Sequence, residues 1–201
     1  HQAYPKGRPE AINPHPILRK NYDLYANIRP SRSYPGLGAL YDDVDLVIVR
    51  ENNEGWPPDR NMFMGNGEFR PGPDMTIGMR VVTRQGSAKL ARAGFELARS
   101  RARKKLTCVQ KETVFRLGDG MFAEECRRVA ADFPDVQYDE VMVDTMATLL
   151  MMKPQQFDVV VTTNIFGDIL SDAAAGLVGG LGLAPGLSAG PDQAMAQATH
   201  G

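Results

Sequence analysis

Apolar and polar positions along this chain follow two different periods. Asp45-Leu46-Val47-Ile48-Val49-Arg50 is an apolar run of strand length closed by a charge, the pattern of a buried strand. Met75 to Val81 alternates apolar and polar side chains, which predicts a half-buried strand. Beyond it the period lengthens. Ala91, Phe95, Ala98 and Ala102 fall at i, i+4, i+7 and i+11, with Lys and Arg elsewhere in the segment: one buried helical stripe and its solvated face. Leu106 to Gln110 predicts a short strand. Met121, Phe122, Cys126 and Val129 make a second helical stripe, which Pro134 stops. Val136 to Val143 predicts a strand, Thr145 to Met152 a helix ended by Pro154, Phe157 to Thr162 a strand, and Asp168 to Val178 a helix running into glycines. Residues 1–16 read as loop, Leu24 to Pro30 is short and mixed, and Glu51 to Pro73, rich in Asn, Gly and Pro, reads as a long loop. Loops of that length are often functional or mobile.

The second half therefore alternates strand and helix, which predicts an α/β sheet with parallel pairs and flanking helices. The earlier alternating strand suggests an added antiparallel piece, so the sheet is expected to be mixed.

Composition narrows the function classes. The net charge of −1, from 23 basic and 24 acidic residues, argues against a nucleic-acid partner held by phosphate neutralisation. With 20 Gly and 14 Pro in 201 residues, the chain stays below the roughly 25–30% of low-complexity sequence. Two cysteines, Cys108 and Cys126, make neither a disulfide framework nor a metal site. No membrane partner is expected, because the charge-free stretch Ala173 to Pro191 is broken by Gly and Pro. The first residues lack the regions of a signal peptide, and a reducing, cytoplasmic compartment is expected. The abrupt ends, with Ala198-Thr199-His200-Gly201 last, suggest a piece of something longer.

Ligands of α/β sheets gather outside the carboxyl ends of the strands. Arg50, Glu51 and Asn52 follow the first strand. Lys111 follows 106–110, Asp144 follows 136–143, and Asn164, Asp168 and Asp172 follow 157–162. Asp168 and Asp172 stand at i and i+4, so their carboxylates share one helix face and repel. Two readings are open: a helix-terminal acid pair favoured by the dipole, or two ligands of Mg²⁺ or Mn²⁺, with Asp144 as a third if folding or a partner subunit brings it near. Arg19, Arg29 and Arg50 are guanidinium groups near element ends. They are either ordinary surface arginines or a bidentate clamp for carboxylates. Lys111, if desolvated, suits proton transfer.

Taken together these residues resemble a known family, the β-decarboxylating dehydrogenases acting on isocitrate, 3-isopropylmalate, homoisocitrate and tartrate or malate. The resemblance is carried by Leu18-Arg19, by Asp23-Leu24-Tyr25-Ala26-Asn27-Ile28-Arg29-Pro30 and by Val47 to Gly55. It continues in Lys111 with Asp119-Gly120-Met121-Phe122, in Val143-Asp144 and in Asn164-Ile165-Phe166-Gly167-Asp168-Ile169-Leu170-Ser171-Asp172. It implies an isopropylmalate-dehydrogenase-like fold. Residues 1–28 and 180–201 would belong to a first, nucleotide-side domain, and 29–179 to a second, dimer-forming domain that is mostly present. It implies an NAD(P)-dependent enzyme that oxidises a 2-hydroxy di- or tricarboxylic acid with decarboxylation. Arg19, Arg29 and Arg50 would hold substrate carboxylates. Asp144, Asp168 and Asp172 would bind Mg²⁺ or Mn²⁺, and Lys111 would accept the hydroxyl proton, with Asp144 beside it. Asn164, His200 and Gly201 would contact NAD or NADP. Lys111 and Asp144 would reach into a neighbouring subunit's site, which implies a homodimer with shared active sites.

The resemblance is incomplete. The family's Tyr-x-Gly is matched best by Phe63-Met64-Gly65, after an insertion at Trp56 to Met62, and phenylalanine cannot donate a proton to an enolate. Asn13, His15 and Pro16 match neither the isocitrate-type nor the isopropylmalate-type residues before the first arginine. The alternative expectation is a catalytically silent regulatory or dimerisation subunit of the same family.

Overall fold

The computed structural model describes residues 14–56, 62, 64, 65 and 67–198. Phe63, Asn13, His200 and Gly201 lie outside them. Nine strands and five helices follow in the order α1 (Pro14–Asn21), β1 (Ala26–Arg32), β2 (Asp45–Glu51), β3 (Glu68–Gly72), β4 (Met75–Gly78), α2 (Arg84–Ser100), β5 (Lys105–Gln110), α3 (Gly118–Ala130), β6 (Gln137–Met142), α4 (Val143–Met152), β7 (Val159–Thr162), α5 (Asn164–Leu177), β8 (Pro185–Ala189) and β9 (Ala194–Ala198).

Seven strands form one mixed sheet in the order β6-β5-β7-β2-β1-β8-β9. β6, β5, β7 and β2 are parallel; β2, β1, β8 and β9 are antiparallel. The segment expected to return to another domain thus adds two strands beside β1. The buried run of β2 feeds both faces, as a strand covered on both sides must. Val47 and Val49 pack with Leu90, Phe95, Leu106 and Phe122 under α2 and α3. Leu46 and Ile48 pack with Met146, Leu150, Val160 and Leu170 under α4 and α5.

Thr83 starts α2 as an N-cap whose side chain accepts the Gly86 N–H, one of the donors a helix start leaves unpaired. The predicted stripe is real at Ala91, Phe95 and Ala98, all fully buried, but Ala102 lies past the helix end and is exposed. At the amino ends of the strands, Asp158 is buried and accepts from Arg101 Nε at 2.5 Å and from the Lys105 N–H at 3.3 Å. This arrangement satisfies a carboxylate that would otherwise be costly to bury. The strand expected to be half-buried is different: β3 and β4 form a separate two-stranded hairpin in which every residue of β4 is exposed. Alternation supplied the strand but no core lies beneath it.

Candidate active site

Arg50 on β2 pairs in register with Thr162 of β7, so the carboxyl end of β2 meets the start of α5. Gly167 allows the meeting. A Cβ there would lie 2.6 Å from Arg50 Cγ, so only glycine lets the arginine stem cross the helix. Arg50 then donates from Nε and Nη2 to Asn164 Oδ1, at 3.1 and 2.7 Å, and from Nη1 to Asp168. Asn164 is held in turn, its Nδ2 donating to the Glu54 carbonyl at 2.8 Å.

Arg29 arrives from the antiparallel side, on β1. Its Nη1 lies 3.3 Å from Asp168 Oδ1 and 3.1 Å from Asp172 Oδ1, and donates to Ser171 Oγ at 2.7 Å. Its Nε donates to Asn27 Oδ1 at 2.7 Å, while Asn27 Nδ2 donates to Ser188 Oγ at 3.0 Å. Asn27 therefore fixes the plane of the guanidinium. Arg29, Arg50, Asn164, Asp168 and Asp172 form one cluster, with both guanidinium groups nearly buried and both carboxylates roughly half-exposed.

The dipole reading of this acid pair is corrected. α5 begins at Asn164, with Thr163 as N-cap and no acid in its first turn. Asp168 is one turn further in, where the helix terminus has little influence. The arginines, not the helix, balance the two carboxylates. Two exposed carboxylates on one helix face are hard oxygen donors that suit Mg²⁺ or Mn²⁺. Among the described residues, however, no three His, Cys, Asp or Glu side chains converge on one point. Asp144 does not join Asp168 and Asp172 within the chain.

Asp144 stands elsewhere, with Lys111. β5 and β6 pair in register to Gln110 and Met142, so the residues just past them are neighbours. Lys111 Nζ lies 2.8 Å from Asp144 Oδ2. That hydrogen bond is the main cause holding the Asp144 carboxyl below the usual carboxylate range. Arg19 is buried in the last turn of α1, which leads into β1.

Sequence reasoning assigned no role to several supporting side chains. Asn27 is one; its place two residues before Arg29, on the same strand face, was the available signal. Ser171 is another. Glu51 and Glu54 are buried behind the cluster. Glu51 accepts the Asn53 and Glu54 N–H groups at 2.8 and 2.6 Å, yet burial still pushes its carboxyl up to about 8. Glu54 is likewise raised by burial, against hydrogen bonds from Thr83.

A mixed α/β sheet with guanidinium and carboxylate groups clustered at its strand ends defines an α/β protein with an arginine–aspartate cluster at one end of the sheet. The chain belongs to the isocitrate/isopropylmalate dehydrogenase family, which its residues 4–201 match. It is 45% identical over 184 residues to the 3-isopropylmalate dehydrogenase of Archaeoglobus fulgidus, covering 92% of this chain and 54% of that protein. It is 40% identical over 185 residues to a mitochondrial NAD isocitrate dehydrogenase catalytic subunit of Arabidopsis thaliana, covering 92% and 48%. The crystal structure of isocitrate dehydrogenase from Methylococcus capsulatus superposes with a TM-score of 0.86 at 41% identity, over 98% of this chain and 57% of that one. The chain thus spans about half the length of the curated relatives it matches. No described helix is long and apolar enough to cross a membrane.

Proposed function

We propose that this chain is the substrate-side part of an NAD(P)-dependent dehydrogenase that oxidises a 2-hydroxy di- or tricarboxylic acid, with loss of CO₂. The observation that carries the reading is the convergence of Arg29 and Arg50 on Asp168 and Asp172. Guanidinium groups held nearly buried are preorganised for bidentate capture of carboxylates, and Arg19 adds a third. Half-exposed Asp168 and Asp172 would hold Mg²⁺ or Mn²⁺. Bound there, the ion would supply Lewis acidity toward the hydroxyl and its neighbouring carboxylate.

Lys111, as the neutral amine, would take the hydroxyl proton, and a bound nicotinamide would supply the hydride acceptor. In the structure its Nζ lies 2.8 Å from Asp144 Oδ2, so Asp144 holds the end of the Lys111 side chain. Because Lys111 and Asp144 stand apart from the arginine cluster, the complete site needs both sets, and two copies of the chain supply them to each other. His200 and Gly201 would contact the cofactor, with Asn164, buried and hydrogen-bonded to Arg50 and Glu54, supporting the site from within.

The test uses the full-length protein with Mn²⁺ and NAD or NADP, on malate, tartrate, isocitrate and 3-alkylmalates. Cofactor reduction and CO₂ release are followed together. Turnover of one acid with equal CO₂ supports the reading, and reduction without CO₂ removes the decarboxylation. Tight binding by calorimetry without turnover assigns the chain to a silent regulatory or dimerisation subunit instead.

A further inference from the structure

Asp119 is fully buried, and no step above uses it. It stands in the first turn of α3, whose N-cap, Leu117, offers no capping side chain. Its Oδ2 accepts the main-chain N–H of Lys111 at 2.7 Å. Its Oδ1 accepts from Arg80 Nη2, and the same nitrogen donates to Thr163 Oγ1 at 3.1 Å. Thr163 is the N-cap of α5 but makes no capping hydrogen bond with its side chain. The Arg80 guanidinium is also held by two rings, 5.0 Å from the Phe115 centroid and 5.7 Å from that of Phe166.

Every one of these contacts goes to one of two segments. Asp119 and Phe115 belong to the stretch that leaves β5 through Lys111, where the Phe115 N–H returns to the Lys111 carbonyl at 2.9 Å. Thr163 and Phe166 open the helix that carries Asp168 and Asp172. A planar guanidinium with several fixed donors can tie two segments together in this way; a lysine ammonium cannot do so with the same geometry.

We propose that Arg80 and Asp119 are positioning residues. Together they anchor the segment that carries Lys111 against the start of α5, and so set the direction in which Lys111 leaves the sheet toward the neighbouring copy's site. The proposal rests on the proton-transfer reading of Lys111 given above. If a first-turn acid were all that Asp119 provides, Arg80 would matter to stability alone. If the pair positions Lys111, its loss acts on the proton-transfer step, while substrate capture by Arg29 and Arg50 persists.

The experiment measures kcat, KM and thermal midpoint in the full-length protein for Arg80→Lys and Thr163→Val, each alone and combined with Lys111→Met. Misplacing a reacting group by about 1 Å can cost about 10²-fold, so Arg80→Lys is expected to lower kcat by roughly 10- to 100-fold while KM stays within about twofold. Thr163→Val removes one acceptor and keeps the side-chain shape, so it folds even where Arg80→Lys does not, and it lowers kcat by a smaller factor in the same direction. In the Lys111→Met background, whose residual turnover is followed over hours, neither change lowers the rate further, because coupled residues are not additive. An unchanged kcat in both variants overturns the proposal. So does the same fold-loss with and without Lys111. Substantial turnover by Lys111→Met alone refutes the role of Lys111 itself, and is read separately from the effect of the pair.

Discussion

Arg50 and Gly167 are in contact across the boundary of β2 and α5: a Cβ on Gly167 would lie 2.6 Å from Arg50 Cγ. An alanine there gains about 1 kcal/mol of helix propensity and forces the arginine aside. Overpacking of this kind costs about 1–3 kcal/mol. Gly167→Ala is therefore expected to lower the thermal midpoint slightly and to raise KM for the hydroxy acid, through the displaced Arg50. A midpoint increase with unchanged KM would show that the arginine relaxes freely.

Asp172 is about half-exposed and meets Arg29 at 3.1 Å. The half-exposed carboxylate is screened by solvent and Arg29 keeps Asp168 and Ser171 as partners, so the pair contributes about 1 kcal/mol at most. Asp172→Asn should leave stability almost unchanged and abolish Mn²⁺-dependent turnover, with Mn²⁺ binding followed by calorimetry. Asp168→Asn should be worse for stability, since Asp168 faces both Arg29 and Arg50. Full activity in Asp172→Asn would leave the acid pair as counter-charge for the arginines alone.

Lys111→Met should remove nearly all turnover, because general acid–base catalysis contributes about 10²–10⁴-fold. The same substitution removes the hydrogen bond that lowers Asp144. The Asp144 carboxyl should then titrate at higher pH, observable by carboxyl-carbon NMR. A depressed carboxyl contributes stability above its ordinary range and loses it on acidification, so the substitution should flatten the acid limb of the stability curve.

Glu51 has the opposite sign. Its carboxyl is pushed up to about 8 by burial. A raised acid favours the protonated folded state. Its contribution is full below the ordinary value of about 4.5 and is lost as pH rises to about 8. Unfolding free energy should fall across that window, by on the order of a few kcal/mol. Glu51→Gln should remove this pH dependence. An equally steep fall in the variant would assign it to another group.

Much of the fold was legible because burial on both faces writes itself into composition. The apolar run of β2 and the stripe of α2 are examples. β1 was not, because Ala-Asn-Ile-Arg-Pro-Ser-Arg carries site residues where a strand would carry Val or Ile. Its buried Asn27 is satisfied by Ser188, a partner 161 positions away that no local pattern reveals. β8 and β9 were missed for the same reason: Pro-Gly-Leu-Ser-Ala has little strand propensity, and pairing with β1 decides it. The start of α5 fell at Asn164, not Asp168, because Asn164 is fixed by Glu54 and Arg50. Individual site residues could be read from motif and spacing. Their division into an arginine–aspartate cluster and a separate Lys111–Asp144 pair was implied only by the family resemblance; no local pattern shows it, since it depends on strand order.

The buried anchor of Asp158 and the cap residue Thr163 flank the four residues of β7 at its opposite ends, about 16 Å apart at strand rise. One end of the strands thus carries a stability device and the other carries the proposed site. At such separations substitutions tend to combine independently. Changes that strengthen the Asp158 end can then accumulate without disturbing the arginine–aspartate end, so stability and the proposed site can be varied separately.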